Sequence, residues 1–178
     1  MELTTPELKF LMRLLAHPDY RASLSRLSPN AKTSAAQRER LCRQLSQKGL
    51  VDYSQEISRF ALSPAGRTFL GLDHHNLLVT PDELLTLKSA AKGSLTPEQI
   101  HSRVAIQTRQ RLIGTLAERK LVKITKIQIQ AAWLTTQGQT FLRHHYSPYG
   151  HAQALTLTML GDYLKFIRQA ATHSLNPS

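Results

Sequence analysis

Cysteine is nearly absent. The 178 residues contain one, Cys42, which excludes a disulfide framework and a four-thiolate zinc site. Long hydrophobic runs are missing too. No stretch of 18 apolar residues occurs, so no transmembrane helix is expected. The 8 glycines form neither G-x-x-x-x-G-K nor G-x-G-x-x-G, and no G-x-S-x-G or H-E-x-x-H is found. A phosphate-binding loop, a nucleophile elbow and a zinc-protease helix are therefore not expected, and with them go the commonest enzymatic readings and any cofactor. Acidic side chains are scarce, 12 against 23 Lys and Arg, for a formal net charge of +11. A basic chain is attracted to polyanions, either nucleic acid or an anionic membrane surface. The start, MELTTPELKF, opens directly on a helical pattern and predicts no signal or transit peptide. The expected setting is a soluble, cytoplasmic, nucleoid-associated protein.

What is present repeats itself. RFALSPAGRTFL (Arg59 to Leu70) and AAWLTTQGQTFL (Ala131 to Leu142) share Leu, Gly, Thr, Phe and Leu at an offset of 72 residues. Upstream, LCRQLSQKGLV (Leu41 to Val51) matches LIGTLAERKLV (Leu112 to Val122) at offset 71, and TTPELKFL (Thr4 to Leu11) matches TPDELLTL (Thr80 to Leu87). The same order of matches with small length changes predicts a tandem duplication. The expected domains are residues 1–76, 77–146, and a linker with a C-terminal amphipathic helix over 147–178.

Each unit reads alike. Leu8, Leu11, Met12 and Leu15 form the stripe of a first helix, with Pro6 at its start. Thr80-Pro81-Asp82-Glu83 is a capping box for its counterpart. A short second helix is expected at about Asp19 to Leu27, and again from Thr96. A third runs from about Ser34 to Lys48, and from about Thr108 to Lys120, burying Leu41, Cys42 and Leu45, or Leu112, Ile113 and Leu116. Two hairpins follow: Leu50 to Tyr53 with Ile57 to Leu62, turning at Ser54-Gln55-Glu56, and Leu121 to Thr125 with Gln128 to Leu134. Ser63-Pro64 and Thr135 start a closing helix in each. The fold class is mainly α with small β-hairpin wings.

L-x-x-K-G-L-V (Leu45 to Val51) followed by F-x-L-S-P-x-G-R-x-x-L (Phe60 to Leu70) resembles the third helix, wing and closing helix of MarR-like and PadR-like winged helix-turn-helix transcription regulators. The second copy is Leu116 to Val122 and Trp133 to Leu142, with Lys120 in place of Gly49. The resemblance covers about 140 residues, as two copies. It implies sequence-specific binding of double-stranded DNA, each third helix lying in a major groove.

The charge placement suits that chemistry. Between Ala31 and Lys48 lie Lys32, Arg38, Arg40, Arg43 and Lys48 against Glu39. Ser34, Gln37, Arg38 and Arg40 are candidates for the exposed side, since Gln and Arg are suited to bidentate contact with adenine and guanine. Arg59 is a candidate wing contact. In the second copy Gln107, Thr108, Arg109 and Arg111 crowd the start of the third helix, and Lys123 and Lys126 lie on the wing. The alternative to DNA reading is a solvated basic face on a winged-helix scaffold that binds proteins in a chromosome or transcription complex. RNA binding is a third reading.

Other residues are expected to be structural. Cys42 falls on a buried stripe, which favours packing over redox sensing. His144, His145 and His151, like His74 and His75, lack ligand spacing, so no metal is expected. Trp133 is expected to pack rather than to stack on a base. After a Ser147-Pro148-Tyr149-Gly150 turn, Leu160, Tyr163, Leu164 and Ile167 give the last helix its stripe, with Phe166 off it. That helix packs either on its own chain or against a second subunit as a homodimer, and Phe10 and Leu14, off the main stripe of the first helix, are expected to join the same interface. A membrane-surface role is not expected of it.

Overall fold

The computed structural model describes residues 2–72, 79–147 and 152–173. His74, His75, His151, the expected boundary at 76/77 and most of the 147–150 turn lie outside them. The chain starts on a helix, α1 (Thr5–Leu15), because Thr4 and Glu7 cap each other and Pro6 sits in the first turn. The elements that follow are β1 (Arg21–Ser23), α2 (Ala35–Gln47), β2 (Val51–Leu62), α3 (Pro64–Leu70), α4 (Pro81–Ala90), α5 (Ile106–Glu118), β3 (Val122–Leu134), α6 (Thr136–Thr140) and α7 (Leu157–His173). The molecule is thus mainly helical, with one three-stranded antiparallel sheet in the order β1-β3-β2. None of the described helices is long and apolar enough to cross a membrane.

Three expectations about the elements are corrected. The first concerns the second helices. Asp19 and Tyr20 take φ of 53° and 51°, a left-handed backbone that breaks any helix there. The segment becomes a single turn at Pro18–Tyr20, the strand β1 and a second turn at Leu24–Arg26. Its counterpart shrinks to one turn, Pro97–Gln99.

The second concerns the wings. Neither hairpin forms. β2 runs unbroken through Ser54-Gln55-Glu56, and β3 runs unbroken from Val122 to Leu134. A tight hairpin needs left-handed φ at its tip. Positive φ among the described residues is confined to Asp19, Tyr20, Lys120, Gly49 and Gly93. Neither expected tip contains Gly or Asn to supply it.

The third concerns the last helix. Its buried side chains are Met159, Tyr163 and Phe166, while Leu164 is 54% exposed. Phe166 therefore lies on the buried stripe rather than off it.

Compactness divides the chain into Met1–Ser54 with Ile129–Ser178, and Gln55–Gln128. This division does not follow the expected boundaries, because β2 and β3 each contribute one part to each unit.

In the first unit, α1 is buried on nearly every side. Leu8, Phe10, Leu11, Met12 and Leu14 join Cys42 and Leu45 of α2, Ala132 and Leu134 of β3, and Met159, Tyr163 and Phe166 of α7. Burying a phenylalanine such as Phe10 or Phe166 contributes roughly 2–3 kcal/mol. The hydroxyl of Tyr163 donates to the carbonyl of Leu142 at 3.0 Å, and Arg143 stands 4.6 Å over the Phe166 ring. α7 thus packs on its own chain together with Phe10 and Leu14. β1 extends the sheet antiparallel to β3, pairing Ala22 with Ala132.

The second unit has its own core of Phe60, Leu62, Leu87, Ala90, Leu95, Ile100, Val104, Ile113, Leu116, Leu121 and Val122. Leu95 forms an isolated antiparallel bridge with Phe60, which takes the place that β1 takes on β3.

Candidate nucleic-acid interface

α2 is launched by Ser34, whose Oγ accepts from the Gln37 amide at 3.2 Å while Gln37 Oε1 accepts from the Ser34 amide at 2.9 Å. Both side chains are exposed but already occupied as a capping box. Four residues into the helix, Arg38 turns back. Its Nη1 donates to Ser28 Oγ at 3.0 Å and to the Thr33 carbonyl at 2.8 Å. At the far end, Lys48 Nζ lies 2.7 Å from Glu7 Oε1 and 2.9 Å from Oε2. Glu7 is 3% exposed. Burial raises its pKa, but the hydrogen bonds from Lys48 and Thr4 outweigh burial and hold the carboxyl below its ordinary range.

Of the five cations expected on this element, Arg38 and Lys48 are therefore engaged within the chain. Lys32, Arg40 and Arg43 are exposed. Arg43 stands 5.8 Å from the Tyr53 ring centroid, which orients it. A groove of about 520 Å³ runs beside the start of α2, lined in part by Asn30, Lys32, Gln37, Arg40 and Gln44. Amides and cations along a groove can hydrogen-bond both phosphates and base edges.

α5 is built in parallel. Arg109 is also the fourth residue of its helix, and it is 6% exposed. Its Nε donates to the Val104 carbonyl at 3.1 Å, Nη1 to those of Pro97 and Glu98 at 2.9 and 3.0 Å, and Nη2 to that of His101 at 3.5 Å. Arg109 therefore locks the turn before the helix and is not at the surface. This corrects its expected place among the reading side chains, and Arg38 is shifted the same way to a lesser degree. Thr108 is half-buried, with Oγ1 donating to the Ala105 carbonyl at 2.8 Å. Gln110 uses both ends of its amide on the backbone of Ile57, at 2.9 and 3.0 Å.

Gln107 and Arg111 on α5, and Lys123 and Lys126 on β3, are exposed. So is Arg59 on β2. With no hairpin tip to carry it, Arg59 belongs to the same compact unit as Lys123 and Lys126. Basic residues outnumber acidic ones 12 to 6 in the first unit and 11 to 6 in the second, so the positive excess is shared.

Paired supports recur around the two helices. Arg119 Nη1 meets Glu83 Oε1 at 3.3 Å, as Lys48 meets Glu7. Lys120 takes φ of 59° after α5, as Gly49 takes 74° after α2. Ser63 Oγ donates to the Lys120 carbonyl and Thr135 Oγ1 to that of Gly49, both at 2.6 Å. A side chain at Gly66 would overlap the Leu121 carbonyl, and one at Gly138 the Leu50 carbonyl. Arg38 and Arg109, like Lys48 and Arg119, stand 71 residues apart, but so do the exposed Arg40 and Arg111, so spacing alone did not mark the clamps.

The remaining candidates are set by packing. Cys42 is fully buried, and burial pushes its thiol up to about 12 despite Arg43 nearby, which leaves little thiolate for redox chemistry. Trp133 is half-buried under the Arg21 guanidinium, 4.5 Å from its ring centroid. His144 and His145 are exposed, and no cluster of metal-binding type occurs among the described residues. No family model, curated protein or solved structure matches the chain.

Proposed function

We propose that this chain is a sequence-specific double-stranded DNA-binding protein, a transcription regulator made of two tandem winged helix-turn-helix repeats that have exchanged their closing strands and helices. In this reading α2 and α5 are the groove-reading helices. Each is followed by a strand of its own repeat, while the closing strand and helix of its compact unit come from the other repeat. The recurring supports favour the duplication: a capping-box glutamate ion-paired to the end of the reading helix, an arginine clamp on the preceding turn, and a hydroxyl and a glycine under the same carbonyls.

The observation that carries the DNA reading is the set of exposed cations left on α2 and its turn, Lys32, Arg40 and Arg43, of which Lys32 and Arg40 line one groove with the amides of Asn30, Gln37 and Gln44. Cations that the fold itself does not use are available to phosphates. In the second unit Arg111, Lys123, Lys126 and Arg59 have the same character.

The test is a fluorescence-anisotropy titration against random duplex DNA, duplex RNA and single strands over a range of salt. Duplex DNA should bind best. The Arg40→Ala, Arg43→Ala double variant should weaken binding and lower the log–log salt slope by about 1–2, while its melting temperature stays within a few degrees. Unchanged affinity of that variant would remove α2 as a reader. Absence of binding to every probe near about 100 mM salt would sink the reading altogether.

A further inference from the structure

α2 and α5 share their supports but not the charge of their outward faces. Opposite the buried Cys42 and Leu45, α2 presents Ala36, Arg40, Arg43 and Gln47, whose spacing places them on one stripe. All four are exposed, and the stripe carries no acid; Glu39 lies to its side and is half-buried. The same positions of α5, opposite the buried Arg109, Ile113 and Leu116, hold Gln107, Arg111, Gly114 and Glu118. A glycine thus stands at the place of Arg43, and an exposed acid at the place of Gln47. The stripe bears two positive charges on α2 and no net charge on α5, where Glu118 offsets Arg111. The clefts beside the two helix starts differ in the same direction. Lys32 and Arg40 line the one at α2, whereas Glu56 and Glu98 line the one at α5. Packing does not impose the difference, since a β-carbon on Gly114 would meet nothing within 4 Å.

We propose that the two helices contribute unequally: α2 is the principal reader, α5 adds little affinity, and the duplex this protein takes has one dominant half-site rather than two equal ones. This rests on the DNA-binding reading above and names the kind of duplex it implies. An arginine that neutralises a phosphate steepens the salt dependence of binding, and a carboxylate on the same stripe repels that phosphate. Two equal reading helices call for two equal half-sites. Helices of unequal charge call for one strong half and one weak.

The experiment selects a bound duplex from a random pool with the wild-type protein and then substitutes each base pair in turn. Substitutions should cost affinity in one half of the site and little in the other. Arg40→Ala should weaken binding to the selected duplex about tenfold, and Arg111→Ala less than about twofold. Gly114→Arg combined with Glu118→Gln writes the charge pattern of α2 onto α5 at positions with room for it. That variant should bind more tightly and raise the log–log salt slope by about 1–2. A selected site with two halves of equal weight, or a loss in Arg111→Ala as large as that in Arg40→Ala, overturns the inequality. An unchanged slope in the Gly114→Arg, Glu118→Gln variant overturns charge as its cause. These outcomes leave DNA binding standing, whereas failure of the wild type to bind any duplex removes the reading underneath.

Discussion

Replacing Arg109 by alanine removes four hydrogen bonds at once, to the carbonyls of Pro97, Glu98, His101 and Val104. The guanidinium is 6% exposed, so water cannot simply replace it. A hydrogen bond to a charged donor contributes about 1.5–3 kcal/mol, and neighbours sharing one donor are not additive. Some of the freed carbonyls can turn toward solvent. The net cost should therefore be about 3–5 kcal/mol, in the range for breaking a buried charged network. For a chain of this length that is a fall of roughly 6–20 °C in melting temperature. Arg109→Lys should recover part of it, because one ammonium reaches fewer of the carbonyls. Arg111→Ala, two residues away but exposed, should leave the melting temperature within a few degrees. Thermal melts by circular dichroism, read beside DNA titrations, separate the two. If Arg109→Ala melted like the wild type and lost DNA affinity, the clamp assignment would be wrong and Arg109 would return to the reading face.

Two further expectations follow from the same supports. Glu7 has its pKa held below the ordinary carboxyl range, so its stabilisation is fully present above that range and is lost as pH falls through the lowered value. Glu7→Gln should cost about 1–3 kcal/mol at neutral pH, and urea titrations should show that penalty shrinking as pH falls below the ordinary carboxyl range; a penalty that did not change with pH would refute the charged role. Gly138→Ala should destabilise by about 2–3 kcal/mol, since its β-carbon falls on the Leu50 carbonyl, a backbone atom that cannot yield. Gly161→Ala, where a β-carbon meets nothing, should be neutral or stabilising, and equal effects at the two sites would contradict the packing.

Local signals held where local energetics decide. Thr4-Pro6-Glu7 and Thr80-Pro81-Glu83 started helices as their residue types dictate, and the stripes around Leu45 and Leu116 were buried as their spacing requires. The second helix of the first copy failed at Pro18-Asp19-Tyr20, where the backbone turns left-handed and the next three residues add a strand to β3. Among the candidate contacts, type and position along the helix did not distinguish Arg109 from Arg111. A guanidinium two residues along a helix points about 200° away, and only the packed turn shows which of them faces inward.

The amino-acid order was enough to establish the positive charge, the helix starts and the buried stripes, because capping, periodicity and ionisation act over a few residues. It could not say which strand half closes which core. Ser54-Gln55-Glu56 is compatible with a turn or with continued strand, and nothing within those residues chooses between them. The choice falls to contacts distant in the chain: Phe60 with Leu95, Ser63 with the Lys120 and Leu121 carbonyls, Thr135 with those of Gly49 and Leu50. Such contacts exist only once the chain has folded, so they divide the ribbon between two cores and decide which basic side chains remain at the surface.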